Sequence, residues 1–171
     1  MKKICFIAYA QYFNDARIKS YITALNNENY SVDLYCLHDE YSSRTDNLNR
    51  NLNISFIGKK YRGNSQLLYL FNYILFFIKC LLGVSLKYIK ERYSVFHVHN
   101  QPDFLVFIPI IPKLFGSKII LDLHDIMIAG VMSKFKSDED NLLYKLTKLQ
   151  TRLSVKFSDV LICADHSADI I

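Results

Sequence analysis

SVFHVHNQPDFLVFIPIIPKLFGSKIILDLHD, residues 94–125, decides the fold. It holds two short apolar runs, Val95–His99 and Lys118–Leu123, each of a length and β-branched character that suits a buried strand. Each run ends on a histidine beside a polar partner: His99 with Asn100, and His124 with Asp125. A helix opened by Pro102 and closed by Gly116 is predicted between them, because proline suits a first helical turn and glycine a C-terminal cap. Pro109 and Pro112 fall inside that span and predict a kink or an early stop. Strand, helix, strand makes a βαβ unit, whose two strands run parallel. Both histidines then emerge at the same carboxyl edge, where open α/β sheets bind ligands.

Upstream, Lys3–Tyr9 reads as a first buried strand. Asn14 suits an N-cap, and Ile18, Tyr21, Ile22 and Leu25 recur at helical spacing after it. That helix ends in the polar turn Asn26–Asn29, and Val32–Leu37 is the second strand. Residues 38–52 are polar and read as a loop. Asn53–Ile57 is a short third strand closed by Gly58. Downstream, Ser137 with Asp140 resembles a capping box, and Leu142, Leu146, Leu149, Leu153 and Phe157 continue at helical spacing. Asp159–Ala164 is the last strand. Strands alternating with helices indicate an α/β, Rossmann-like, doubly wound parallel sheet with helices on both faces. The expected strand order is 3-2-1-4-5-6, with the topological switch between strands one and four. Three loops then share one crevice: Tyr9–Asp15, His99–Asn100 and His124–Asp125.

Leu67–Ile89 is a long helix candidate. Leu68, Phe71, Leu75, Ile78, Leu82 and Ile89 fill one stripe, while Ser65, Asn72, Lys79, Gly83 and Lys90 form a narrow polar one. A membrane span needs ~20 predominantly apolar residues. Here the run from Leu67 to Ile78 contains Asn72 and is then broken by Lys79. A lysine at mid-span costs ~2.5–3.5 kcal/mol on insertion scales, which weighs against crossing. Two readings stay open: a core helix with one basic edge, or a helix partly sunk into a membrane surface.

The totals bound the function classes. The chain has 171 residues, 51% hydrophobic and 22% charged, enough for one domain with a sizeable core. Cys5, Cys36, Cys80 and Cys163 lie far apart with no CxxC pair, which reads as free thiols in a reducing cytoplasm. The apolar run after the basic start MKK is short and reads as a strand rather than a signal peptide. The formal net charge is +5. Between Lys59 and Arg92, Lys59, Lys60, Arg62, Lys79, Lys87, Lys90 and Arg92 face the single acid Glu91. That excess suits an anionic partner such as phospholipid headgroups or a phosphorylated ligand, or else a solvated basic face. Nucleic acid is disfavoured, because there is no RNP-like or helix-turn-helix pattern. Neither GxGxxG, nor a Walker loop, nor a GxSxG elbow is present, which removes the usual dinucleotide, P-loop and α/β-hydrolase readings.

His97 and His99 point to one side of a strand, and with His124 and Asp125 they offer metal-ligand chemistry. His97 lies one pleat deeper than His99, however, and the ligands come from different strands, so a core histidine is the better reading for His97 and no metal is expected. His124, flanked by Asp122 and Asp125, suits a ligand contact, since a neutral imidazole exchanges hydrogen bonds with sugar hydroxyls. Arg17 lies in the first turn after Asp15, where its guanidinium suits a phosphate or carboxylate near a helix N-terminus, or a surface pair with Asp15.

FHVHNQPDFLVFIPIIPKLFGSKIILDLHDIM resembles the matching part of family 4 glycosyltransferases: a histidine-rich strand end, a helix, a strand and a His-Asp pair, in that order. NDARIKSYITALNNENYSVDLYCL resembles their opening helix and second strand, and SDVLICADHSADII their last strand before the interdomain linker. The similarity extends over essentially residues 1–171 as a single domain, but covers only the amino-terminal, acceptor-side half of the two-domain GT-B architecture. It implies retaining, metal-independent transfer of a sugar from a nucleotide-sugar co-substrate. Carried over by position, His124 matches the histidine near the reacting centre and is the catalytic candidate. Asp15, Arg17, His99, Asn100 and Asp125 match substrate-binding positions around it.

The implied acceptor is a lipid-linked or cell-surface glycan of the bacterial cell envelope. The implied location is cytoplasmic, peripheral on the inner face of the plasma membrane, with an anionic membrane surface as a partner. Two departures stand out. The glycine-rich first loop is replaced by AYAQYFND, and the donor-binding second domain with its paired glutamates is absent from these residues. The chain alone is therefore expected to be inactive, with the donor half supplied in cis or in trans. The rival expectation is a catalytically inactive, membrane-associated binding module of the same fold.

Overall fold

Six parallel strands form one sheet in the expected order, β3-β2-β1-β4-β5-β6. The computed structural model describes residues 2–38, 40, 51–63, 65–99, 102–123 and 142–163. The strands are β1 (Lys3–Gln11), β2 (Ser31–His38), β3 (Leu52–Lys59), β4 (Val95–His99), β5 (Lys118–Leu123) and β6 (Val160–Cys163). The helices are α1 (Ala16–Asn27), α2 (Gln66–Glu91), α3 (Ile110–Leu114) and α4 (Leu142–Phe157). The register sets Ile4 beside Val32 on one side and Val95 on the other, and His99 beside Asp122. The β1–β4 junction is the switch point.

Alternation along the strands divides the core between two faces. Ile4, Phe6 and Ala8 of β1, with Val32, Leu34 and Cys36 of β2, pack against Ile18 and Ile22 of α1. Cys5, Ile7, Tyr35, Leu37, Phe96, Val98, Ile119 and Leu121 face the other way, towards Phe76, Cys80, Val84 and Tyr88 of α2. Gly83 lies mid-helix, where glycine costs about 1 kcal/mol relative to alanine. A Cβ there would lie 3.2 Å from the Tyr35 ring, so the glycine lets α2 seat closely on β2. Cys5, Cys36 and Cys80 are buried free thiols, and Cys163 is half-buried.

Local details depart from the sequence reading. β1 continues to Gln11, and Tyr12–Asn14 forms a 3-10 turn. The cap of α1 is therefore Asp15, not Asn14: Asp15 Oδ1 accepts from the backbone N–H groups of Arg17 and Ile18, both at 3.0 Å. The prolines break the β4–β5 crossover into two pieces, a 3-10 segment at Asp103–Phe107 and α3, with Pro102 and Pro109 as their N-caps. Thr151 of α4 donates to the buried carboxylate of Asp103 at 2.6 Å, and Ser154 donates to the Asp103 carbonyl at 3.2 Å, fastening α4 to that segment. The Ser137–Asp140 capping box lies outside the described residues.

At the amino edge, Asp33 of β2 is buried among cations. Lys87 lies 2.9 Å and Lys3 3.4 Å from its carboxylate, and Lys3 also reaches Glu91 at 2.7 Å. Asn53 donates to Asp33 at 3.2 Å, and the Tyr93 hydroxyl donates to it as well. Burial opposes ionisation, yet the Tyr93 and Lys87 hydrogen bonds hold the Asp33 carboxyl below the ordinary value. One carboxylate thus joins β1, β2, β3, the end of α2 and the entry to β4.

Candidate functional site: the carboxyl edge of the sheet

Along this edge the chain leaves β1 through Gln11 into the Tyr12–Asn14 turn and then α1. Asp15 spends its carboxylate on capping α1, and Arg17 is exposed in the first turn, at the helix's positive end. Next to β1 lies β4, whose last residue is His99. Asn100, His124 and Asp125 lie outside the described residues. In sequence they directly follow β4 and β5.

His99 and His97 are buried, not open to a crevice. Both face the α1 side. Phe6 stacks on His97 with ring centroids 4.6 Å apart, and Tyr21 of α1 tilts against His97 at 4.9 Å and His99 at 5.9 Å. Across the β4–β5 register, Asp122 Oδ2 lies 3.2 Å from His99 Nδ1 and 3.8 Å from His97 Nε2. Burial, and then the Asp122 carboxylate, push the Tyr21 hydroxyl pKa up. His97 is thus a core histidine, as its pleat position suggests. Asp122, which the sequence presents only as a neighbour of His124, sits under both imidazoles. The sequence does carry a signal for it: Asp122 is the one acid in β5 and interrupts its apolar run.

The three side chains bring potential ligand atoms within 4.8 Å of one another. The two imidazoles are stacked, with planes 3° apart and centroids 4.7 Å apart. An imidazole binds a cation in its ring plane at about 2.0–2.1 Å. The parallel rings and the Asp122 carboxylate form a buried polar layer. It joins the ends of β4 and β5 and packs against Tyr21 of α1.

A second feature lies on the same edge, beside β1, β2 and β3. Gln11, His38, Glu40, Lys59, Lys60 and Arg62 line an open groove of about 460 Å³. Gln11 donates to the His38 carbonyl at 3.2 Å across the mouth of β1 and β2. Four of the six lining residues are basic or imidazole side chains, which suits an anionic group. The sequence shows the Lys59–Arg62 charges, but only as part of the basic segment around the long helix. What it does not show is the β2–β3 register, which brings His38 opposite Lys59.

No family model matches the sequence, and no curated protein matches it. Solved structures do match the fold. Sucrose-phosphate synthase from Thermosynechococcus elongatus aligns over 99% of this chain and 44% of its own, with TM-score 0.69 and 9% identity. The glycosyltransferase of kitacinnamycin aligns over 93% of this chain and 41% of its own, with TM-score 0.55 and 10% identity. MurG of Acinetobacter baumannii aligns over 96% of this chain and 41% of its own, with TM-score 0.50 and 7% identity. The chain therefore spans less than half the length of these proteins. At the level of fold, it has the Rossmann-like architecture found in GT-B glycosyltransferases.

Proposed function

We propose that these residues form the acceptor-side half of a retaining, family 4-type glycosyltransferase. The observation that carries the reading is the β3-β2-β1-β4-β5-β6 sheet, with its switch point between β1 and β4, matched over nearly the whole chain to part of larger sugar-transfer proteins. A ligand at such a sheet sits in the crevice outside the carboxyl ends at the switch point. There the acceptor meets Gln11–Arg17 and the residues that follow His99 and Leu123 in sequence. Arg17, at the positive end of α1, takes a negative group of the acceptor. His124 serves the reacting centre, and Asn100 and Asp125 bind substrate. A donor-side domain, in cis or in trans, brings the nucleotide sugar, and no metal is called for. A lipid-linked or cell-surface glycan of a bacterial envelope is the acceptor class, assembled on the cytoplasmic side of the membrane.

The test is sugar transfer by the complete protein together with its donor-side domain. Transfer that falls on the order of a hundredfold or more in His124→Ala supports the assignment, since general acid–base groups contribute about that much or more. Transfer unchanged by His124→Ala removes the residue's catalytic role. No transfer from any nucleotide sugar, with acceptor binding retained, replaces the enzyme with a binding module.

A further inference from the structure

We propose that the outer face of α2 lays this protein flat on an anionic lipid surface. The inference is independent of sugar transfer. Within the described residues, α2 is the one helix long and apolar enough to cross a membrane. Yet its outward stripe is exposed from end to end: Leu67 is 80% exposed, Leu82 59%, and Leu86 and Ile89 69% each, with Phe71, Ile74 and Ile78 between them. Tyr88 of α2 lies beside Phe115, which follows α3, at 6.4 Å between rings. Ile110, Ile111, Leu114 and Phe115 are exposed as well, Leu114 at 81%. An apolar stripe of this extent along α2 marks an interaction surface, not ordinary scatter.

The inner stripe says how α2 lies. Phe76, Cys80, Val84 and Tyr88 are buried in the sheet's core, and Lys87 is tied to Asp33 at 2.9 Å. Crossing a bilayer would tear this face from the sheet. Lying flat leaves it in place and presents about 39 Å of apolar helix sideways, at 1.5 Å per residue over 26 residues.

Charge names the occupant. Lys59, Lys60, Arg62, Lys79, Lys90 and Arg92 are exposed around the stripe, and the one acid in that segment, Glu91, is engaged by Lys3. Lys79 and Lys90 flank the apolar residues, placed for their stems to lie on the acyl boundary and their ammonium groups among headgroups. A second copy of the chain would oppose like charges, whereas anionic lipid neutralises them.

The chain has no tryptophan, so one introduced on the stripe reports cleanly. The experiment mixes the full protein with vesicles of phosphatidylcholine alone or with phosphatidylglycerol, using Leu67→Trp, Leu82→Trp and Ile89→Trp in turn, and brominated lipids as quenchers. Binding to the anionic vesicles, lost at high salt and quenched to the same shallow depth at all three sites, is the expected result. Lys59→Ala, Lys60→Ala and Arg62→Ala together should weaken it roughly a hundredfold. Leu82→Gln with Leu86→Gln, both solvent-facing, should abolish it while circular dichroism stays unchanged. Equal binding to neutral vesicles, no binding to either, deep quenching at Leu82 alone, or a lipid-free dimer removed by Leu82→Gln would each overturn the proposal.

Discussion

Replacing Asp33 by alanine perturbs the amino edge of the sheet at its most connected point. The carboxylate is 1% exposed and takes Lys87 at 2.9 Å, Asn53 at 3.2 Å and the Tyr93 hydroxyl. Its loss leaves the buried Tyr93 hydroxyl without an acceptor, a penalty of about 1–3 kcal/mol. It also strips Lys87 and Lys3 of their shared counter-ion. Breaking a buried pair from one side costs about 3–5 kcal/mol, and the cost here falls short of the upper end because both lysines are partly exposed and can turn to water. A domain of this size loses about 2–4 °C of melting temperature per kcal/mol, so Asp33→Ala should melt roughly 6–16 °C lower. Asp33→Asn keeps an acceptor for Tyr93 and should lose about half as much.

The pH dependence has a definite sign. The folded pKa of Asp33 is depressed, so its contribution is complete above the unfolded carboxyl value of about 3.9 and is lost as pH falls through the folded value. The gap between wild type and Asp33→Ala, followed by circular dichroism melts, should be constant from pH 6 to 8 and narrow below about pH 4. A gap under about 1 °C at pH 7, or one that widens in acid, would contradict an ionised Asp33 that holds this edge together.

Asp159 closes the other side of the sheet, accepting from Lys113 at 2.8 Å, the Ile119 N–H at 2.9 Å and Lys118 at 3.2 Å. The Lys113 hydrogen bond, chiefly, lowers its carboxyl pKa to about 2. Asp159→Asn should destabilise at neutral pH by less than about 1 kcal/mol in urea titrations, because water screens this exposed carboxylate, with the difference fading as pH falls towards 2. Gly116 holds φ at +94° in the turn after α3, and a Cβ added there would meet nothing within 4 Å. Gly116→Ala should cost about 1–2 kcal/mol from backbone strain alone, with no change of core packing, as read from the same titration.

Buried parallel strands announce themselves, which is why Val95–His99 and Lys118–Leu123 are legible in the sequence with the bounds the structure gives them. The alternation of strands and helices indicates a parallel doubly wound sheet but allows more than one strand order; the expected order 3-2-1-4-5-6 is the one the structure has. α2 is harder. A helix apolar nearly all round does not say which face is inner, and Gly83 and Lys87 settle it only once Tyr35 and Asp33 are known to lie beneath them. Asn14 loses the cap to Asp15 because a 3-10 turn follows β1, a local preference with no periodic signature. At the site, the sequence places Asp15 and Arg17 at the right end of the right helix, but Asp15 serves the backbone. The His97–His99–Asp122 layer depends on the β4–β5 register, which no single strand encodes.

The acceptor's entry at the β1–β4 switch point, on the carboxyl edge, is the claim on which the proposed function depends. Amide chemical shifts of the isotopically labelled protein, titrated with octyl glycosides below their micelle concentration, test it most directly. The expected shifts concentrate in Gln11–Arg17 and around His99. Shifts confined to the amino edge, at Lys3, Asp33, Ser94 and Ser117, or none with any glycoside, would contradict it.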